Sequence, residues 1–205
     1  FLGKTLLGKK IEVVDEFKAI AKGLHKEIKI RKFVVISCGT GTSILYVNNS
    51  KVTHLGGTGL GGGTIKGLLL EDDMDKILNS AKDGNLDNTD ILIKDISKNN
   101  ISNLNKDVTC SNLGAFNSFL KNNKLKNDNK VLSNLSLGVL NLVYQNIGVC
   151  AALASNIVKT KNVVFIGNAV NNIYAKIFLR VVEKLYKKKF YFVKESGYIA
   201  VKGCL

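Results

Sequence analysis

Apolar residues along the chain recur at two periods, which predicts a mixed α/β fold. Short apolar or alternating runs predict strands at 33–38, 43–48, 51–55, 162–166 and 190–193. Apolar positions at helical spacing predict helices at 17–24, 61–70, 74–82, 89–97, 113–121, 131–158, 172–186 and 197–205. The order is β-β-β-α, an insertion, and then α-β-α-β-α, which is typical of α/β proteins with mixed strand pairing.

The distribution of polar residues divides the chain into a core and an insertion. Residues 1–32 predict a connecting segment that carries a helix, and residues 33–205 predict one lobe. Within that lobe, residues 72–130 are rich in Asn, Asp and Lys and predict a helical insertion, with an exposed linker at 122–130. Position 1 is Phe rather than Met, so we expect the natural polypeptide to begin upstream of it.

Two glycine-rich turns stand out between the predicted elements. The first, at 39–43, reads Gly-Thr-Gly-Thr-Ser and lies between two strands. The second has six glycines among the eight residues 56–63 and precedes a helix. Glycine lets backbone N–H groups come close to an anion, and Ser or Thr hydroxyls add donors. The turns therefore predict phosphate binding, with a plain hairpin turn and a flexible linker as the respective alternatives.

The arrangement of strand, Gly/Thr turn and second strand is the one with which the actin/hexokinase/Hsp70-like ATPase superfold holds nucleotide phosphates. The order of elements fits mainly the C-terminal lobe of that superfold, with a helical insertion added. The helix that opens at Gly61, Gly62 and Gly63 is expected to offer its positive end to an anion. Gly167 and Asn168 follow a buried strand and, taken alone, fit ordinary turn geometry.

Composition and charge argue against several other classes of protein. The formal net charge is +14, but the lysines are scattered and not interleaved with aromatics, so we expect no nucleic-acid partner. Four widely spaced cysteines and two histidines argue against a disulfide framework and a zinc site. No uninterrupted apolar run approaches the roughly 18 residues of a membrane span. We therefore expect a cytoplasmic protein without a membrane partner.

Six segments, in order along the chain, resemble the type II (eukaryotic-like) pantothenate kinase family. They are 14–17 with 21–24, 39–43, 57–64, Gly84 with Asn88, Asp90, Leu92 and Asp95-Ile96, 165–168, and 196–203. The resemblance implies ATP-dependent phosphorylation of the primary hydroxyl of pantothenate, the first step of coenzyme A biosynthesis. It also implies Mg²⁺ as the companion of ATP, a homodimer, and CoA or acyl-CoA as a feedback inhibitor.

The resemblance also assigns roles to individual residues. Glu16 matches the carboxylate that accepts the proton of the attacking hydroxyl, whereas the residues alone also allow a plain carboxylate at a helix start. Asp15 is expected to cap that helix. The implied ATP-binding residues are Gly39, Thr40, Gly41, Thr42, Gly61, Gly62, Gly63, Thr64, Gly167 and Asn168. The implied substrate-binding residues are Ser43, His54, Gly57 and Thr58, and no side chain is assigned to a metal.

Two departures from the family pattern bear on activity. His54 stands where the family has an Arg, so a carboxylate-binding role and a plain core or turn position both stay open. The family's opening Asp-x-Gly-Gly-Thr hairpin has no counterpart here, and we expect the 205 residues on their own to be inactive. The alternatives are another small-molecule kinase of the superfold and a non-catalytic protein that binds nucleotide or acyl-CoA. The small residues of the helix at 131–158 are a candidate dimer surface.

Overall fold

The strands form one central sheet and two small two-stranded sheets. The computed structural model of the chain describes residues 5, 6, 8–10, 12–97, 105–123 and 129–205. Its strands are β1 Thr5–Leu6, β2 Lys9–Lys10, β3 Lys32–Cys38, β4 Thr42–Asn48, β5 Lys51–Thr58, β6 Ile91–Leu92, β7 Thr109–Ser111, β8 Asn162–Ile166 and β9 Lys189–Phe192. All five strands predicted from the sequence are confirmed, with small shifts at their ends.

Helices account for most of the remaining described residues. They are α1 Glu16–Glu27, α2 Gly62–Leu69, α3 Met74–Ser80, α4 Ile93–Ile96, α5 Phe116–Asn123, α6 Asn129–Ile157, α7 Ile173–Leu185 and α8 Ile199–Cys204. The prediction of one helix over 89–97 is wrong. A 3-10 turn at Leu86–Asn88 leads instead into β6 and the single turn α4.

The central sheet has the strand order β5-β4-β3-β8-β9. β4 pairs antiparallel with β3 and β5, whereas β8 pairs parallel with β3 and β9. The carboxyl ends of β3, β5, β8 and β9 therefore lie at the same edge of the sheet. The loops that leave this edge include both glycine-rich turns and the Gly-Asn turn, so the topology alone brings these three distant segments together.

Helices cover both faces of the sheet. On one face, Ile36 of β3 and Ile65 of α2 belong to a core that also includes α3, α6 and α7. On the other face, Val35 of β3 packs with Leu24 of α1 and Ile199 of α8. Because successive strand residues point to opposite faces, the neighbours Val35 and Ile36 serve two different cores.

The small residues of α6 are buried within this chain. A Cβ added at Gly148 would lie 3.1 Å from atoms of Leu179 and Val182 in α7. A Cβ at Gly138 would lie 3.0 Å from Thr89. The expectation that this face packs against a second subunit is therefore corrected, because α7 and the insertion already occupy it.

α6 is also long and apolar enough to cross a membrane, judged by length and composition alone. Its most apolar stretch has a mean hydropathy of 1.5, and 61% of that stretch is buried inside the chain. The central helix of a globular core has the same composition, because it is surrounded by other apolar elements. The composition of α6 is therefore weak evidence for a membrane.

Asp90 links the segment around β6 and β7 to α6. Its side chain is completely buried and accepts hydrogen bonds from Asn141 Nδ2 at 2.6 Å, from the Leu113 N–H at 3.0 Å and from Thr109 Oγ1 at 3.2 Å. A buried carboxylate requires such donors. A regular helix over 89–97 would move Asp90 away from them, which explains the irregular backbone.

The predicted exposed linker at 122–130 is described only in part. α5 continues to Asn123 and α6 begins at Asn129, so the ends of the predicted linker are helical. Residues 124–128 lie outside the described residues.

Replacing Asp90 with Ala should lower the free energy of unfolding by about 3 kcal/mol, because buried donors lose their acceptor. Urea denaturation of the two proteins measures the difference. The matched control is Asp87→Ala, which removes an exposed carboxylate paired with Lys94 at 2.7 Å. That change should alter the free energy of unfolding by less than about 0.5 kcal/mol. Equal effects of the two substitutions would contradict the role given to Asp90.

Candidate active site

A cleft of about 460 Å³ opens at the carboxyl edge of the sheet. Its lining combines the two glycine-rich turns with the turn after β8: Gly39, Thr40, Gly62, Gly63, Lys66, Met74, Asn168 and Ala169. Five of these eight residues were assigned to an ATP site from the sequence. They are up to about 130 positions apart along the chain, and the fold brings them together.

The second glycine-rich turn rests directly on the backbone of the first. The Gly62 N–H donates to Gly39 O at 2.8 Å, and the Gly63 N–H donates to Thr40 O at 3.0 Å. A Cβ at Gly61 would overlap the Thr40 carbonyl, and one at Gly63 would lie 2.6 Å from Thr40 Cγ2. The density of glycine at 61–63 is therefore required for contact between the two turns.

Three threonine hydroxyls tie the second turn to itself and to β4. Thr42 Oγ1 donates to Leu60 O at 2.7 Å, and Thr64 Oγ1 donates to Gly59 O at 2.9 Å. Thr58 Oγ1 accepts from the Leu60 N–H at 3.2 Å. In this structure the hydroxyls of Thr42 and Thr64 hold the loops together, and the assignment of both residues to phosphate binding stays a prediction.

The start of α2 is also engaged within the chain. Besides the bonds of Gly62 and Gly63 to the first turn, the Gly61 N–H donates to Thr64 Oγ1 at 3.2 Å. The N–H groups of Gly62 and Gly63 therefore bind carbonyls of the first glycine-rich turn, and the Gly61 N–H binds a hydroxyl of its own helix. The field of the helix still acts at the cleft, since it does not depend on a direct hydrogen bond.

The first turn keeps two backbone donors open. The Gly39 N–H is taken, because it donates to Gly41 O at 2.9 Å. The N–H groups of Thr40 and Gly41 have no acceptor among the described residues. Thr40 lines the cleft and Gly41 directly follows it, so these two adjacent amides are candidate donors to an anion. The Thr40 side chain lies at the rim and adds a hydroxyl.

The opposite wall is the turn after β8, which is held rigidly. Gly167 has φ +101°, and a Cβ there would overlap the Cys38 carbonyl, so only glycine fits. Tyr144 Oη donates to Ala169 O at 2.6 Å, and Asn172 Nδ2 donates to the same carbonyl at 2.9 Å. Burial raises the pKa of Tyr144 well above its usual range, so the phenol remains a proton donor. This leaves Asn168 exposed at the rim of the cleft.

Sequence reasoning missed three residues of the cleft. Lys66, Met74 and Ala169 line it, but none was assigned to the site. The signal for Lys66 was present, because it follows Gly62 and Gly63 by four and three positions and so shares their helix face. Met74 and Ala169 gave no such signal, since their place depends on how α3 and the β8 turn pack.

The candidate base lies on the other face of the sheet. α1 begins with Glu16, which is exposed, and Phe17 stacks on His54 of β5 with ring centroids 5.3 Å apart. At the other end of α1, His25 Nε2 lies 2.7 Å from Asn49 O in the turn between β4 and β5. α1 therefore starts toward the edge that carries the glycine-rich turns. The stacking thus places His54 against Phe17, the residue that follows Glu16 in the chain.

The predicted role of Asp15 as a helix cap is confirmed, since the Lys18 N–H donates to Asp15 Oδ1 at 2.8 Å. The nearby strand residue Ser43 pairs with Ser37 just as Leu45 pairs with Val35. Leu45 and Val35 belong to the α1 core, so Ser43 lies on the same face of the sheet as Glu16.

The remaining substrate candidates are in β5. Gly57 pairs with Ser43, and a Cβ at Gly57 would lie 2.5 Å from Thr42 O. Thr58 pairs with Thr42 at the start of the second turn. These two residues therefore connect the α1 face with the glycine-rich cleft.

A second cavity, also of about 460 Å³, lies against α1 and α8 near the opposite edge of the sheet. Its lining is basic and includes Lys18, Lys22, His25 and Lys26. It contains no residue that the sequence assigned to the site.

Comparison with protein families gives a match over nearly the whole chain. The model of the Fumble family matches residues 21–205. The chain belongs to the Fumble family, that of the type II pantothenate kinases. Glu16 lies just before the matched range, so its role does not come from this match.

Curated relatives of this Fumble-family chain are type II pantothenate kinases. The one from Oceanobacillus iheyensis is 38% identical over 104 residues, which cover 46% of this chain and 38% of the relative. The one from Bacillus cereus strain G9842 is 41% identical over 96 residues, covering 42% of this chain and 35% of the relative. The matched part of the chain thus spans little more than a third of the length of these relatives.

Solved structures establish the fold of this Fumble-family chain as the actin/hexokinase/Hsp70-like ATPase fold. A ROK family glucokinase from Streptomyces griseus, in complex with glucose and AMPPNP, superposes with a TM-score of 0.56 at 9% identity and covers 96% of this chain and 67% of its own. The activator of 2-hydroxyisocaproyl-CoA dehydratase from Clostridium difficile, with bound ADPNP, gives 0.53 at 15% identity, with 93% and 64% covered. The predicted superfold is confirmed.

Gly61→Ala should displace the first turn, because the new Cβ would overlap the Thr40 carbonyl. We expect a loss of about 1–3 kcal/mol in the free energy of unfolding, measured by urea denaturation. Gly59→Ala is the matched control in the same loop, since a Cβ there would have no neighbour within 4 Å. If Gly61→Ala were as stable as Gly59→Ala, the contact between the turns would not be a tight one.

Proposed function

We propose that this chain carries the nucleotide site of a pantothenate kinase, which transfers the terminal phosphoryl group of ATP to the primary hydroxyl of pantothenate. The observation that carries the proposal is the pair of open amides at Thr40 and Gly41, held beside a cleft by the second glycine turn in a Fumble-family chain. On this proposal, residues 33–205 form the nucleotide-binding lobe and 72–130 an insertion on it.

In the proposed complex, the phosphates lie against the first turn and the nucleoside extends toward Asn168 and Ala169. The amides of Thr40 and Gly41 donate to phosphate oxygens, and the hydroxyl of Thr40 adds a third donor. Phosphoryl transfer needs positioning and charge neutralisation more than covalent chemistry, which suits a site made chiefly of backbone groups. Mg²⁺, held by the phosphates, would neutralise charge that builds up on the phosphate oxygens.

The proposed acceptor site lies on the α1 face of the sheet. Glu16 accepts the proton of the pantothenate hydroxyl as it attacks, and a carboxylate with a free, exposed side chain is available for this. Ser43, Gly57 and Thr58 form the passage between this face and the phosphates. On this proposal pantothenate binds beside His54, whose ring stacks on Phe17 with centroids 5.3 Å apart.

The names of the curated relatives support the choice of pantothenate over other alcohols. The likeness to a glucokinase supports only the fold. On the same proposal the protein acts in the cytoplasm as a homodimer, and CoA or its thioesters regulate it.

The experiment is a turnover assay on the polypeptide that contains this chain, with pantothenate, glucose and N-acetylglucosamine offered separately with Mg–ATP. Phosphopantothenate should form, detected by mass, and the sugars should remain unchanged. Phosphorylation of a sugar alone would identify another small-molecule kinase of this fold. ATP binding without any product would indicate a non-catalytic relative.

Replacing Glu16 with Gln in that polypeptide should lower kcat about 10²–10⁴-fold, because the general base is lost while the volume of the side chain is kept. ATP affinity should not change. Asp15→Asn is the control, since Asn retains the helix cap and removes only the neighbouring charge. Undiminished turnover by Glu16→Gln would contradict the role of Glu16.

A further inference from the structure

Lys66 is the one charged side chain among the described residues that line the nucleotide cleft. It is half-buried and lies in the last turn of α2. Among the described residues it forms no ion pair. A partly buried ammonium group without a counter-ion, beside open amide donors, indicates an anionic ligand.

The fold fixes where Lys66 points. Ile65, the neighbouring residue, is completely buried in the core with α6, so the orientation of α2 about its own axis is set. Gly62 and Gly63 line the cleft, and positions three and four apart share a helix face. Lys66 therefore continues the row of Gly62 and Gly63 along the cleft wall.

Glu71 is the first acidic residue after α2 in the sequence, and its carboxylate has other partners. Glu71 Oε1 accepts from the Asp73 N–H at 2.9 Å, and Glu71 Oε2 lies 3.8 Å from Lys76 Nζ. The carboxylate therefore helps to start α3 and does not neutralise Lys66.

Lys66 carries the one full positive charge in the described lining of the cleft. The N–H groups of Gly61, Gly62 and Gly63 donate to partners inside the chain, and the open amides of Thr40 and Gly41 are neutral. An ammonium group on a flexible stem can follow phosphate oxygens as a point charge. We propose that Lys66 binds the phosphates of the nucleotide and sets the preference of the site for nucleotide over nucleoside, an inference that rests on the proposed function.

Calorimetric titrations of the polypeptide that contains this chain, with ATP and with adenosine as separate probes, test this inference. Lys66→Gln should raise the Kd for ATP about tenfold, on the order of 1.4 kcal/mol, and should leave the Kd for adenosine within twofold. Lys66→Arg should retain most of the ATP affinity. The ATP affinity of Lys66→Gln should also depend less steeply on salt than that of the parent protein.

Lys22→Gln is the matched control, because it removes the same charge from an exposed position on the other face of the sheet. Its Kd for ATP should match that of the parent. Equal losses in the two variants would show that overall charge matters and not Lys66, and would overturn the inference.

The remaining outcomes separate the inference from the function on which it rests. If the parent protein binds ATP and Lys66→Gln binds it equally well, the inference is wrong and the nucleotide site stands. If Lys66→Gln loses ATP and adenosine in equal measure, Lys66 has a structural role only, which also overturns the inference. If the parent protein binds no ATP, the proposed function fails, and the inference fails with it.

Discussion

The contact between the two glycine-rich turns is the constraint on which the site depends. Two hydrogen bonds, from Gly62 to Gly39 and from Gly63 to Thr40, hold the start of α2 against the loop after β3. These bonds hold the carbonyls of Gly39 and Thr40 toward α2. The N–H groups of Thr40 and Gly41, which belong to the same two trans peptide bonds, point away from α2. A side chain at Gly61 would separate the turns. The glycines thus shape the proposed phosphate site chiefly by allowing close contact between the two backbones.

The sheet divides the proposed chemistry between its two faces. Side chains of β3 and β4 alternate, so that one set faces α1 and the other faces α2, α6 and α7. The proposed nucleotide cleft adjoins the second set, and Glu16 and His54 belong with the first. The first glycine-rich turn lies at the end of the strands between them. A phosphoryl group held there would be within reach of both faces, which is the geometry that a transfer between two substrates requires.

Local pattern was sufficient for the strands and for most helices, because apolar periodicity is read over a few residues. It failed at 89–97, where the backbone is set by Asn141, some fifty positions away, which donates to the buried Asp90. It also gave no sign that the Thr42 hydroxyl donates to Leu60 O. Such roles depend on which loops meet, and that is decided by the pairing of β3 with β4 and β8 and not by neighbouring residues.

The most direct test of the account is a titration of the isotope-labelled protein with Mg–ATP, followed through its backbone amide resonances. The account predicts the largest chemical-shift changes at Thr40 and Gly41, with smaller changes at Asn168. The basic cavity that includes Lys18 and Lys22 provides the internal comparison, because it would also attract an anion. Shifts confined to that cavity, with Thr40 and Gly41 unchanged, would contradict the account.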